Sequence, residues 1–241
     1  MSSSRLLSAL YLLSLSLLLQ LALGANLVTY TCYGSGNFTP GGVYNQNLNS
    51  LLNILNSNTP LTGFAFSSLG RSQNIQSYGL AICRGDINTT ACQSCVDEAT
   101  TEIQNLCQFN NEAAIWYDVC QVKYSNVDFL GVVSTGQWEL IWNTANARNP
   151  VYFNKKVIEL FSQLKGEAKD SPKLYAAGAL EIGNSMTIYG LVQCTRDLSS
   201  DNCAKCIDVA VKIIVQDSYA KLGANFLGES CDVHYEMYPW V

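Results

Sequence analysis

The feature that most constrains this chain is a cysteine pattern that occurs twice. Cys83, Cys92 and Cys95 form C-x8-C-x2-C, and Cys194, Cys203 and Cys206 form it again 111 residues later. The match extends beyond sulfur at the same offset. Tyr78-Gly79-Leu80 recurs as Tyr189-Gly190-Leu191, Asp86 and Asp97 recur as Asp197 and Asp208, and Cys120-x-Val122-x-Tyr124 recurs as Cys231-x-Val233-x-Tyr235. So many positions at one spacing define a tandem repeat, two copies of one domain of about 105 residues, a common domain size. The expected division is 1–24 as a leader, 25–130 as repeat one and 131–241 as repeat two.

Repeat one has six cysteines and repeat two has four. Carrying the register across puts Ser218 at the position of Cys107 and Trp142 at that of Cys32. Losing one partner of a disulfide strands a thiol, so a paired loss implies the bridge Cys32–Cys107. Trp142 is expected to fill the space that bridge vacates. The four cysteines present in both repeats allow three connectivities that spacing alone does not separate.

Residues 1–24 carry a basic Arg5, an apolar run from Leu6 to Leu23, and small residues Ala22 and Gly24 ahead of Ala25, the pattern of a secretory signal peptide. Secretion means an oxidising compartment in which disulfides persist. A zinc site built on C-x2-C needs a second pair or nearby histidines, and the chain has one histidine, His234. No metal and no cofactor are expected. Loss of the leader removes a single charge, Arg5, and moves the net charge from −5 to −6. That disfavours nucleic acid, whose phosphates are met by clustered Lys and Arg. The densest basic stretch, Lys155-Lys156 to Lys165, is interleaved with Glu159 and an apolar stripe. No later segment offers 18 uninterrupted apolar residues, so no membrane span is expected in the mature chain.

The same element order is expected in each repeat: strand, helix, two strands, helix, two strands. Leu48, Leu51, Leu52 and Leu55 fall at i, i+3, i+4, i+7, and Val157, Leu160, Phe161 and Leu164 repeat that spacing after Asn149 as cap and Pro150 in the first turn. A second helix runs from Thr89 to Cys107, capped by Thr89 or Thr90, with Ser199 or Ser200 in repeat two. Alternation gives strands over Gln76–Arg84, Ala114–Lys123, Met186–Thr195 and Cys231–Tyr238. Short helices need a sheet to cover, so the fold class is α+β: two tandem repeats, each an antiparallel sheet of about five strands packed on two helices and stapled by disulfides. Two cysteines three apart share a helix face, so both point to the sheet that the helix covers.

Each catalytic candidate fails a simple test. His234 alternates with Val233 and Tyr235 in a strand, with no motif linking it to a serine or free thiol. The glycines from Gly34 to Gly42 lack the Lys-Ser/Thr of a phosphate loop and read as a flexible loop. Acid pairs such as Asp97-Glu98 are ordinary in an acidic chain. The expectation is a protein that is not an enzyme. Asn37 in Asn-Phe-Thr and Asn88 in Asn-Thr-Thr are the glycan acceptor sequons, both in repeat one.

The cysteine spacing, with the ending Cys231-Asp-Val-His-Tyr-Glu-Met-Tyr-Pro-Trp, resembles the plant cysteine-rich repeat secretory proteins built from ginkbilobin-like stress-antifungal domains. The likeness runs from about Leu27 to Val241. It implies Cys83–Cys92, Cys95–Cys120, Cys194–Cys203 and Cys206–Cys231, with Cys32–Cys107 completing the ten. Relatives that carry the same domain pair on a transmembrane segment include receptor-like kinases and plasmodesmata-located proteins. The resemblance also implies a possible function. Mannose-binding members use an Asn directly after the first cysteine position, an Arg six residues before the last cysteine and a Glu five residues after it. Amide, guanidinium and carboxylate together offer donors and acceptors to vicinal hydroxyls. Repeat one has Tyr33, Ala114 and Ser125 at those positions; repeat two has Asn143, Asn225 and Glu236. The expectation is a secreted apoplastic lectin-like protein of stress defence, antifungal by the family's habit, that binds mannose-containing glycans or cell-wall polysaccharide through repeat two. The alternative is a protein-binding module for related ectodomains or a second copy of itself, built on the aromatic run Tyr235, Met237, Tyr238, Pro239 and Trp240.

Overall fold

The computed structural model describes residues 25–72, 75–134, 136–183 and 185–240. The expected signal peptide at 1–24 lies outside them. Repeat one runs β1 (Leu27–Asn37), α1 (Val43–Thr62), β2 (Phe64–Leu69), β3 (Ser77–Cys83), α2 (Thr89–Leu106), β4 (Asn110–Tyr117) and β5 (Cys120–Ser125). Repeat two runs β6 (Trp138–Trp142), α3 (Pro150–Asp170), β7 (Tyr175–Glu181), β8 (Thr187–Cys194), α4 (Ser200–Asp217), β9 (Ala224–Gly228) and β10 (Cys231–Glu236). Each repeat is a five-stranded antiparallel sheet, with strand order β1-β4-β5-β3-β2 in one and β6-β9-β10-β8-β7 in the other.

The retained residues explain why both copies fold alike. Leu48, Leu51, Leu52 and Leu55 bury one stripe of α1, and Val157, Leu160, Phe161 and Leu164 bury the matching stripe of α3. The repeated glycine of Tyr-Gly-Leu sets how close each helix lies to its sheet. A Cβ on Gly79 would stand 3.0 Å from Leu51 Cδ2, and one on Gly190 would stand 2.8 Å from Leu160 Cδ2. The repeated Tyr of Cys-x-Val-x-Tyr is core in both: Tyr124 donates to the Asn110 carbonyl at 3.1 Å, and Tyr235 to the Lys221 carbonyl at 2.7 Å. Even the repeated Asp of the second helix has one job. Asp97 accepts from Asn56 of α1, and Asp208 accepts from Lys165 of α3.

All ten cysteines are paired. Cys83–Cys92 ties β3 to the start of α2 and Cys95–Cys120 ties α2 to β5, with Cα separations of 5.6 and 6.1 Å. Cys194–Cys203 and Cys206–Cys231 reproduce both separations. Cys32–Cys107 joins β1 to the C-terminus of α2 across 5.3 Å.

Four local expectations need correction. The stretch Ala114–Lys123 is not one strand: it is β4 and β5, turning at Asp118-Val119. The core-facing set shifts by one residue there, from Ala113, Ile115 and Tyr117 to Cys120, Val122 and Tyr124, and the Asp118 carboxylate holds the turn by accepting from the Asn26 main-chain and side-chain amides at 3.0 and 2.8 Å. The glycines from Gly34 are not all loop. β1 continues to Asn37 through an irregular register after Tyr33, where Gly34 adopts φ 107°, a left-handed conformation that suits glycine. The cap of α2 is Asn88 rather than Thr89 or Thr90, its Oδ1 accepting from Ala91 N at 2.9 Å, while Ser199 caps α4. Finally, Trp142 does not fill the vacated disulfide space. It lies opposite Ala224 as Cys32 lies opposite Ala113, but is 46% exposed, because an indole is far larger than a sulfur bridge. Ser218 is buried there and folds its hydroxyl back onto Ile214 O at 2.7 Å. Backbone bonds from Ala147 to Ala220 and from Leu222 to Ala145 hold the strand end without sulfur.

Peptide mapping without reduction is expected to recover five linked pairs. Replacing both Cys32 and Cys107 by Ser should lower the unfolding free energy by up to about 4.5 kcal/mol, against about 2.7 for the short Cys83–Cys92 loop, a ranking that denaturant titration checks. Asn88 is exposed and uses only Oδ1 as a cap, so Nδ2 is free to carry a glycan. Thr90→Ala should remove that glycan with the cap intact, whereas Asn88→Ala should remove both and cost about 1 kcal/mol more. Mass spectrometry and thermal melts separate the two variants.

Candidate functional site

Strand register anchors the part of repeat two that has lost its cysteine. In repeat one Tyr33 pairs with Glu112. In repeat two the main chain of Asn143 donates to Gly223 O at 2.9 Å, and Gly223 stands 111 residues after Glu112. Asn143 is therefore the counterpart of Tyr33. On the other side of β9, Tyr235 pairs with Ala224, which sets Glu236 beside Gly223. A Cβ on Gly223 would collide with the Glu236 carboxylate. The bare glycine lets that carboxylate lie across β9, whose far neighbour is the strand that ends at Asn143. Asn225 is two residues along on the same face and pairs with His234 and Ile141.

The three residues thus share the sheet face turned away from the helices, with unequal access. Asn143 is exposed, and its Oδ1 accepts from Ala145 N at 2.9 Å. The Glu236 side chain is 15% exposed, with Oε1 3.4 Å from His234 Nε2. Asn225 Oδ1 is buried without a protein partner. The C-terminus folds back beside them. The Trp240 ring lies 4.0 Å from the His234 ring and 5.2 Å from the Arg84 guanidinium carbon, so it bridges the two repeats. Of the aromatic run, Tyr235 is core, Trp240 is in this crevice, and Tyr238 is 57% exposed.

The equivalent face of repeat one is covered by repeat two. The turn between β9 and β10 presents Glu229, whose Oε2 receives Lys123 Nζ at 2.8 Å and Ser134 Oγ at 2.6 Å, while Oε1 receives the Tyr33 hydroxyl. The Phe129 ring covers the ammonium at 4.1 Å, and both charged side chains are at most 5% exposed. Burial and the Glu229 charge push the Tyr33 phenol far above its ordinary value, so it remains a donor. Around this pair Trp116 Nε1 donates to Gly228 O at 3.3 Å, and Ala114, Trp116 and Leu227 form an apolar contact. Gln193 reaches back, donating to Cys83 O and accepting from Gly85 N. Sequence reasoning missed Lys123, Glu229 and Ser134. The available signal was a lysine inside a strand of buried neighbours.

A crevice of about 50 Å³, enough for one or two waters, separates the two outer faces and holds Asp232. Burial pushes this carboxyl up to about 7, against one opposing hydrogen bond from Gly228 N. No cluster of three metal-ligating side chains occurs among the described residues.

Comparison with known proteins follows these repeats. Residues 31–127 and 142–238 each match the family described as salt stress response/antifungal. The chain belongs to that family. It is 42% identical, over its whole length and 99% of the relative, to an antimicrobial ginkbilobin-2-like protein of Castanea crenata. It is 38% identical over 208 residues, 86% of this chain and 82% of the relative, to cysteine-rich repeat secretory protein 38 of Arabidopsis thaliana. The fold is that of the tandem DUF26 ectodomain of the Arabidopsis thaliana cysteine-rich receptor-like protein PDLP8, with a TM-score of 0.79 over 89% of this chain and 99% of that one at 20% identity. None of the described helices is long and apolar enough to cross a membrane.

Two outcomes test the interface. Lys123→Met strands the Glu229 charge and should cost about 3–5 kcal/mol, while adding Glu229→Leu should recover most of it; denaturant unfolding reads both. Asp232 has a folded pKa above its ordinary 3.8. Its contribution is therefore complete below that value and is lost as pH rises through about 7. Asp232→Asn should remove a loss of stability on the order of a few kcal/mol between pH 4 and 8, seen as a flatter plot of unfolding free energy against pH.

Proposed function

We propose that this protein is a secreted, non-catalytic binding protein of the plant apoplast whose repeat two carries a weak site for mannose-containing glycans, in the service of stress defence. The observation that carries the reading is the meeting of Asn143, Asn225 and Glu236 on one sheet face, with Gly223 leaving room for the carboxylate between them. The relatives named antimicrobial and secretory support the setting. The site is expected to be weak for two physical reasons. Asn225 stands where an Arg would supply a charge-assisted donor, worth about 1.5–3 kcal/mol and more than a neutral bond, and its Oδ1 is buried without a protein partner. The reading of the aromatic C-terminus as a protein-docking surface has less material, because Tyr235 and Trp240 are already packed within the chain.

Titration of mannose into the full-length protein, followed by calorimetry or NMR shifts, tests the site. Binding should be lost in Glu236→Ala and should tighten about tenfold or more in Asn225→Arg. Wild-type binding that Asn225→Arg leaves unimproved would mean that the sugar sits elsewhere. Silence in both would return the function to a protein partner, in line with the ectodomain relatives.

A further inference from the structure

The two repeats differ most in volume at one corner of the fold, where the first strand hands over to the first helix. In repeat one Phe38 N donates to Phe109 O at 2.8 Å, and in repeat two Ala147 N donates to Ala220 O at 2.8 Å. Phe109 and Ala220 are 111 residues apart and share a left-handed backbone, with φ of 65° and 57°. The two donors are therefore counterparts as well. In repeat one Phe38 plugs the corner, 5.2 Å from the Tyr44 ring, and the exposed Phe109 ring meets it edge-on at 6.0 Å. Repeat two has a methyl group in place of each ring. Its corner opens into a groove of about 720 Å³, against about 330 Å³ for the equivalent hollow of repeat one.

That groove is within the 300–1,000 Å³ range of small-molecule sites, and its lining sets an apolar floor beside a polar edge of Asn146, Arg148, Asn149 and Tyr152. Phe153 and Ile182 form a buried floor, Leu222 and Met186 form walls, and Ala147 lies where the ring is missing. The Tyr152 hydroxyl is spent on Ile182 O at 3.1 Å, and the Asn149 side chain is spent on capping α3. Arg148 also lines the groove, and it forms no ion pair among the described residues. A guanidinium at the edge of an apolar groove is complementary to a ligand with an apolar body and one anionic end.

We infer that this groove is a ligand site for a small amphipathic monocarboxylate, its hydrocarbon body filling the space of the ring missing at Ala147 and its carboxylate on Arg148. The site is separate from Asn143, Asn225 and Glu236 and does not depend on the sugar reading. In repeat one Phe38 occupies the equivalent space, and the hollow left there has less than half the volume and no arginine in its lining.

Decanoate, below its micelle concentration, is the probe for calorimetric titration of the full-length, disulfide-intact protein, with decan-1-ol and decyltrimethylammonium as neutral and cationic comparators. The expected result is one saturable decanoate site, weakened about tenfold in Arg148→Gln, with decan-1-ol binding unchanged by that substitution and decyltrimethylammonium weakest of the three. Ala147→Phe, which restores the ring of repeat one, should abolish binding while circular dichroism and the thermal midpoint are maintained. Should that variant fail to fold, Leu222→Asn, which installs the repeat-one residue Asn111, should weaken decanoate instead. The inference is overturned if decanoate does not saturate by about 1 mM, if the cation binds as well as the anion, or if the folded groove variant binds as the wild type does.

Discussion

The buried ion pair between Lys123 and Glu229 decides what each half of the molecule can do. A carboxylate taken out of water is tolerated only where its lone pairs are met, and here a lysine, a serine and a tyrosine meet them. The residues that do so come from the outer sheet face of repeat one and from the segment joining the repeats. That face is therefore committed to holding repeat two. That accounts for Tyr33, Ala114 and Ser125 at the positions that Asn143, Asn225 and Glu236 hold in repeat two. Tyr33 is a donor to Glu229, while Ala114 and Ser125 are covered. Repeat two has His234 at the counterpart of Lys123, and the counterpart of Glu229 in repeat one, Asp118, is turned to Asn26. The contact is one-sided, so the outer face of repeat two keeps Asn143 in solvent.

Within each repeat the forces are local and duplicated. Glycine against leucine sets the spacing of helix and sheet, a buried tyrosine hydroxyl fixes the main chain that follows the second helix, and two disulfides pin that helix at its start. None of these depends on the partner repeat, which is why they survive at one offset. The third bridge is dispensable because the same corner also has backbone pairing, present in both copies as the bond from Phe38 to Phe109 or from Ala147 to Ala220. Aromatic packing adds to it in repeat two, where Tyr235 touches both Phe153 and Phe161.

Duplicated forces of this kind are legible in a sequence, because each leaves residues at fixed spacing. The tandem repeat, the helix stripes and the Asn149-Pro150 start all have local causes. What was hidden has nonlocal or negative causes. The turn at Asp118-Val119 escaped because apolar residues crowd it on both sides, Tyr117 before it and Cys120 after it, and the Asn26 amides that steady Asp118 are 92 residues away in sequence. Lys123 and Glu229 are 106 residues apart, and each alone reads as an ordinary surface charge. Asn88 was passed over as a cap because two threonines, equally good caps, follow it. Asn143, Asn225 and Glu236 are legible by residue type, but the burial of Asn225 Oδ1 depends on a crevice that both repeats and Trp240 line.

The groove of repeat two belongs to the hidden class for a simpler reason: it is made by what is missing. An alanine in a connecting segment carries no sequence signal, and only its counterpart phenylalanine shows that a ring is missing. Removing large side chains from a packed corner is costly unless the space collapses or is used, since each unfilled volume forfeits dispersion and transfer energy. Repeat two bears that cost in the copy that has one disulfide fewer, so its corner is the weaker of the two twice over. A duplicated domain can carry such a corner because the sheet, the helix staples and the Glu229 contact hold the rest in place. Repeat one, with Phe38 at the corner and its outer face covered, is the scaffold, and repeat two carries both of the proposed sites.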